Sequence, residues 1–406
     1  MSSENQVRPN FATPYALAFA LVVFPGSAHA RDAAVLFNFN GSGGGNPAGG
    51  LIADEQGNLY GTAYYGGYLQ CQDGCGVVFK VAPNGSETVL HAFEYGTDGN
   101  YPRAGLVADK AGNLYGTTQF GGAGTGCNDN GCGSVFEVSP DNSETVLYSF
   151  EDGADGSEPI SQLVLDKKGN LYGTASSGGS TGLGTIFKVT TQGDLTVLYT
   201  FRGGSDGSSP YAGLILDKEG NLYGTTAYGG STNCTSGCGT VFKLAPTGTE
   251  TVLHMFSRGN DGSLPVAGLL ADKEGALYGT TEEGGAYGYG VVFKLTPDGT
   301  ETVLHAFQGG NDGQSPDAGV IADRKGNIFG TTLLGGANGV GTVFKIAPDG
   351  TESVPYAFTS NIGANPEAGL IMDRRGNLYG TAITGGDNDC QINYACGTIF
   401  EVEKGR

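Results

Sequence analysis

From residue 33 onward the apolar side chains fall in short runs, rich in β-branched and aromatic types and bounded by Gly, Asp, Asn and Pro. Runs of that kind predict β-strands ended by turns. A 3.6-residue apolar period, the mark of an amphipathic helix, appears nowhere in this part of the chain. Four runs make one unit; in the second they span 105–109 (A), 113–118 (B), 134–138 (C) and 144–150 (D). The unit recurs seven times, most visibly as the hexapeptide GNLYGT at 57–62, 112–117, 169–174, 220–225 and 376–381. Its variants are GALYGT at 275–280 and GNIFGT at 326–331. The starts lie 55, 57, 51, 55, 51 and 50 residues apart, a period that marks a repeat architecture.

The joints define the topology. Strands A and B are linked by Asp-x-x-Gly, and C and D in most units by Pro-x-Gly-x-Glu-Thr, both hairpin turns with Gly at a left-handed position. Four-stranded meanders repeated seven times predict an all-β, seven-bladed propeller. A β-solenoid is the alternative, but its coils are shorter and lack these turns. Units begin near 48, 104, 161, 212, 267, 318 and 368, within one domain spanning 31–406. The last unit has no fourth strand, whereas 33–39 (AAVLFNF) resembles a fourth strand without a blade. Pairing the two would close the ring and remove an open sheet edge. Antiparallel order then puts the A–B and C–D turns on one face and the B–C and D–A loops on the other. The second face holds the length variation and is the expected ligand face.

Residues 15–24 (YALAFALVVF) follow Arg8 and precede Ala28-His29-Ala30. This is the pattern of a signal peptide over 1–30 cleaved after Ala30, which predicts a secreted or periplasmic protein. The eight cysteines come in pairs within single B–C loops: Cys71/Cys75, Cys127/Cys132, Cys234/Cys238 and Cys390/Cys396. Units 3, 5 and 6 have none, so local disulfides are expected rather than a shared zinc site. With 74 Gly and 15% charged residues, the composition fits short strands and tight turns. A net charge of −20 without a Lys/Arg cluster argues against nucleic acid and anionic membranes as partners. No later stretch is apolar enough for a membrane span, and a monomer is expected.

In a repeat, whatever recurs in most units reads as scaffold. Asp54, Asp109, Asp166, Asp217, Asp272, Asp323 and Asp373 open every A–B turn, and His91, His254 and His305 share one strand D slot with Tyr148, Tyr199 and Tyr356. The histidines therefore read as packing residues, which disfavours His-dependent catalysis. Asp98, Asp155, Asp206, Asp261 and Asp312 begin an Asp-Gly-x-x-Pro motif in five D–A loops; they are candidate calcium ligands, with a plain turn as the other reading. No cofactor is otherwise required. The repeat breaks at the two residues before the B–C Gly-Gly, which gives the ligand-binding candidates Tyr64, Tyr65, Gln119, Phe120, Tyr228, Glu282 and Glu283. Tyr287 and Tyr289 lie nearby. Carboxylates beside aromatics suit a glycan or a cation. No phosphate loop, nucleophile elbow or zinc-protease motif is present among these units.

The unit GNLYGT … GG … GTVFK … ETVLHAF resembles the GloVer tandem repeat of secreted bacterial proteins, the choice-of-anchor repeat group, over nearly all of 33–402. The resemblance implies a propeller-like, extracytoplasmic protein and no particular activity. Some relatives end in an anchoring tail, which the terminal Glu403–Arg406 does not resemble. Kelch and WD40 repeats are disfavoured by the absence of Trp. The expected function is a non-catalytic binding or interaction module with a glycan, protein or cation on the B–C/D–A face. The alternatives are a propeller enzyme of lactonase or lyase class with an axial site, and a purely structural envelope protein.

Overall fold

The computed structural model describes residues 32–404 except 69, 70, 72, 125, 126, 128, 129, 152, 387–389 and 391–395; the expected signal peptide lies outside the described residues. Seven four-stranded antiparallel sheets form a seven-bladed β-propeller. Blade 1 consists of Ile52–Ala53 (A), Leu59–Ala63 (B), Val77–Val81 (C) and Glu87–Ala92 (D). Blades 2 to 6 follow at 107–149, 164–200, 215–255, 270–306 and 321–357. In blade 7, Ile371–Met372, Leu378–Ala382 and Thr398–Val402 are completed by the N-terminal strand Ala33–Asn38. That strand pairs antiparallel with the last one, from Ala33 opposite Val402 to Asn38 opposite Thr398. The closure expected from the sequence is therefore present.

Strand A is two residues long in every blade, shorter than the five-residue run suggests. The cause is its place beside the axis, where the Ala-Gly step before it packs backbone against backbone. A Cβ on Gly105 would come 2.8 Å from the Gly50 carbonyl, and one on Gly319 2.9 Å from that of Gly268. In blade 3 this glycine is replaced by Gln162, whose Nε2 donates to the Leu106 carbonyl (2.9 Å).

The hexapeptide is scaffold at every position. In blade 1, Gly57 turns the chain at φ +84°. Asn58 and Tyr60 donate to the Asp54 carboxylate (2.6 and 3.0 Å), and Leu59 is core. Burial acts to raise the Asp54 pKa, but the bonds from Asn58, Tyr60 and Gln56 outweigh it and hold the carboxyl below its usual range. Gly61 lies under Phe79, with room for no Cβ (2.7 Å to Cζ). Thr62 donates its hydroxyl to the Ala104 carbonyl of the next blade (2.8 Å).

That threonine bond is made at all seven joints, ending with Thr381 donating to Gly49 across the ring closure (3.3 Å). Beside each, a buried Phe of strand C meets edge-on the Phe that ends strand D of the preceding blade. The series runs from Phe93–Phe136 (5.1 Å between centroids) to Phe358–Phe400 (4.8 Å). Phe39 of the N-terminal segment meets Phe79 in the same way at 5.1 Å. Such pairs contribute about 0.5–1.5 kcal/mol beyond their burial. All four expected disulfides are formed, as in proteins that fold in oxidising compartments. Among the described residues no helix is long and apolar enough to cross a membrane.

Candidate functional site

The D–A and B–C loops meet at the axis through one circuit repeated in every blade. The residue before the D–A proline is Asn46, Tyr101, Glu158, Ser209, Leu264, Ser315 or Asn365, and each is left-handed, with φ between 52° and 62°. Non-glycine residues rarely adopt this conformation, so something must hold them there. Two backbone bonds do. The N–H donates to the B–C loop of the preceding blade, as Tyr101 does to Cys75 (2.8 Å), Glu158 to Cys132 (2.9 Å) and Ser209 to Leu183 (2.9 Å). The carbonyl accepts from the B–C loop of its own blade, as Tyr101 does from Gln119 (3.1 Å) and Leu264 from Glu282 (3.0 Å). The residue after the proline is thereby aimed at the axis.

These residues open an axial cavity of about 810 Å³, lined from all seven blades. Its floor is apolar, with Ile52, Val164, Ile215, Ile321 and Ile371 among the lining. Its mouth is polar and asymmetric. On one side Tyr64 donates to Gln119 (3.2 Å), which donates to Glu158 (3.2 Å), so blades 1 to 3 are tied together. Arg103 of blade 2 forms an ion pair with Glu367 of blade 7, across blade 1, whose residue in this slot is Ala48. On the other side Glu282 of blade 5 and Asp317 of blade 6 face the cavity, and Asp317 Oδ1 is buried without a partner. Burial pushes Asp317 up to about 8, reinforced by the charges of Glu282 and Glu367 and opposed by Arg103. Glu282 is raised as well, by burial and then by Glu283 and Glu367.

The sequence candidates divide. Gln119 and Glu282 line the cavity, and Tyr64 reaches it through Gln119. Tyr64 stacks on Tyr101 at 4.8 Å, with Tyr65 and Phe120 edge-on to Tyr101 at 6.0 and 6.4 Å. Tyr228 packs against Tyr211, another cavity residue, at 6.4 Å. Glu283 points outward to Arg258 (3.5 Å), while Tyr287 and Tyr289 are exposed on the blade 5 loop away from the cavity lining.

The five D–A aspartates do not meet. Each accepts a backbone N–H four residues upstream and faces the strand D slot of its own blade. Tyr148 donates to Asp155 at 2.9 Å and Tyr199 to Asp206, while His91, His254 and His305 lie 3.3, 3.5 and 3.0 Å from Asp98, Asp261 and Asp312. In these five blades His and Tyr alternate because both place a polar group against the same carboxylate; the D–A loop after Tyr356 has no such aspartate.

Arg103, Glu158, Tyr211, Asp317 and Glu367 escaped the sequence reading. A signal existed, because the position after the D–A proline reads Ala48, Arg103, Ile160, Tyr211, Val266, Asp317 and Glu367, a scatter of chemistry within a uniform loop.

The repeat and its ring correspond to a known family, whose description, the Gloeobacter/Verrucomicrobia repeat, matches residues 22–128, 124–273 and 231–406. The chain belongs to that family. No curated protein matches this Gloeobacter/Verrucomicrobia repeat chain. Among solved structures it is similar to the extracellular domain assigned to a hybrid two component system of B. thetaiotaomicron (13% identity, TM-score 0.58, 93% of this chain and 40% of that one). A related extracellular domain, assigned to a one component system of the same organism, gives 12% identity and a TM-score of 0.53 over 88% and 38%. The repeat protein thus spans about two fifths of those chains. It is also similar to a protein assigned as a 6-phosphogluconolactonase from Bacteroides fragilis (15% identity, TM-score 0.53, 85% of this chain and 99% of that one). At these identities the likeness is one of fold.

Proposed function

We propose that this chain is an extracytoplasmic ligand-binding propeller, exported by the segment 1–30, that receives a polyhydroxylated ligand carrying a positive charge in its axial cavity. An amino sugar has that chemistry. The observation that carries the reading is the asymmetric mouth: Glu158, Glu282, Asp317 and Glu367 against the single Arg103, with Tyr211 in the wall and Tyr64 beside it. Carboxylates supply acceptors for hydroxyls and a counter-charge for an ammonium, and aromatic rings offer flat faces to a sugar. The volume suits a ligand of one to a few sugar rings. The similar fold of extracellular domains assigned to a one component and a hybrid two component system accords with a binding role.

Calorimetric titration with glucosamine oligomers and with their neutral N-acetylated forms, at about pH 6 where the amine holds its proton, tests this. The charged series should bind roughly tenfold or more tightly, the worth of one charge-assisted hydrogen bond. Glu282→Gln should remove most of that preference. Failure of both series to bind would overturn the reading, and equal binding would overturn its charge component.

An enzyme of lactonase or lyase class is the second reading, and one observation favours it. Asp317, held protonated up to about 8, sits in the field of Glu282 and Glu367, so one carboxyl can donate a proton where another accepts. Turnover of a lactone or uronide substrate abolished by Asp317→Asn would support it; no turnover of either class would exclude it.

A further inference from the structure

Outside the axial cavity, His305, Asp312 and Glu352 bring one nitrogen and two carboxylate ligands to within 4.8 Å of one another at the joint between blades 5 and 6. His305 lies on strand D of blade 5 (Glu301–Ala306), Asp312 in the following loop, and Glu352 opens strand D of blade 6 (Glu352–Ala357). His305 Nε2 is 3.0 and 3.1 Å from the two oxygens of Asp312. Glu352 Oε1 is buried and has no hydrogen-bond partner, an expensive state for a carboxyl oxygen. The backbone fixes Asp312 from the other side through the Gln308 N–H (2.6 Å).

We propose that His305, Asp312 and Glu352 form a divalent transition-metal site, best suited to zinc, that pins blade 5 to blade 6. An imidazole nitrogen with two carboxylates is a donor set for zinc rather than for calcium, which takes oxygen ligands in larger number. Ordinary zinc–ligand distances of about 2.0–2.2 Å require the three groups to close by small side-chain rotations, leaving the fourth position to water. The metal would satisfy the orphaned Glu352 oxygen. The chain's own repeats supply a comparison. A histidine in this slot is followed each time by a glutamate at the start of the next strand D (His91 with Glu144, His254 with Glu301, His305 with Glu352). The Tyr148 joint has Leu195 there, and the Tyr199 joint keeps the glutamate, Glu250, with a similarly orphaned oxygen but has no nitrogen ligand. Only at His305 do the three ligand atoms come this close among the described residues.

The substitution His305→Tyr separates a metal site from a structural hydrogen bond. Tyr148 and Tyr199 already bond to the equivalent aspartates, so the variant keeps a donor to Asp312 and loses the nitrogen ligand. The chain, stripped with EDTA and returned to chelator-free buffer, is titrated calorimetrically with zinc chloride and its thermal midpoint followed. Saturable binding of one zinc per chain with a rise in midpoint of roughly 2 °C or more is expected. Both should disappear in His305→Tyr, with an unchanged metal-free midpoint, and affinity should weaken roughly tenfold or more in Glu352→Gln. Zinc binding unaffected by His305→Tyr, or no zinc binding by the folded wild type, overturns the proposal.

Discussion

The carbonyl oxygen of Cys75 accepts the N–H of Tyr101 at 2.8 Å, so the disulfide of one blade holds the axial turn of the next. Cys132, Cys238 and Cys396 hold Glu158, Leu264 and Asn46 in the same way, while Leu183, Tyr289 and Val340 serve Ser209, Ser315 and Asn365 without a disulfide. Closing such short loops contributes only about 2 kcal/mol each. Reduction should therefore leave the propeller folded and act on the mouth. Hydrogen exchange after reduction is expected to speed up at Asn46, Tyr101, Glu158 and Leu264, and to stay unchanged at Ser209, Ser315 and Asn365. Uniform acceleration at all seven would disprove the link.

The hexapeptide offers a sharper stability test. Thr225→Val removes the hydroxyl bonded to the Ala267 carbonyl (3.2 Å) and leaves that buried acceptor unpaired, at a cost of about 1–3 kcal/mol. Gly224→Ala places a methyl 2.8 Å from both Phe242 Cζ and Leu214 Cδ2, and overpacking should cost about 1–3 kcal/mol. Urea unfolding of the two variants, with the exposed Thr247→Val as control, measures both.

Phe39 stands in for the strand D phenylalanine of blade 7. It is 2% exposed and meets Phe79 as Phe93 meets Phe136, both at 5.1 Å. Phe39→Ala and Phe93→Ala should each cost about 3–5 kcal/mol. A much smaller loss for Phe39→Ala in the same unfolding assay would show that the first strand is a loosely held addition rather than an equal member of the ring.

Glu87 provides a pH test free of the zinc proposal. Burial raises it to about 7, and its Oε1 has no partner. A folded-state pKa above the unfolded value gives stabilisation that is fully present below about 4.5 and is lost as pH rises through about 7. Relative to Glu87→Gln, which cannot ionise, the wild type should match in thermal midpoint near pH 4 and fall below it near pH 8. Scans with EDTA present measure the difference; a constant offset across that range would show that Glu87 does not titrate as its burial requires.

What was legible in the sequence was whatever the repeat states seven times. Gly61 and Thr62 are fixed by contacts that every blade makes, and Tyr60 by one that six of the seven make (blade 6 has Phe329), so their recurrence exposes the blade, the joint and the closing role of 33–39. The site is the part that the repeat does not state. Arg103 and Glu367 lie 264 positions apart and meet across blade 1, whose residue in the same slot is Ala48. Such a pairing follows from ring geometry, which a linear reading does not contain. The D–A aspartates looked like a ring of ligands because they recur, yet recurrence placed each at its own joint, facing His91, Tyr148 or His305 rather than one another. Strand A was over-read because its apolar run continues into the Ala-Gly step, where the approach of neighbouring backbones ends the ladder.

The pairing of Ala33–Asn38 with Thr398–Val402 also sets an order of events. The strand synthesised first is the last to find its partner, because that partner is made more than 350 residues later. Until then blade 1 has no phenylalanine against Phe79, and the growing chain presents an unmatched blade face at each end of an open arc. Contacts of such long sequence separation are slow to form and leave sticky surfaces uncovered. A chain cut off before residue 398 would hold an arc with nothing to close it, and closure is the step that joins the first strand to the three last ones and turns six blades and an incomplete seventh into a ring.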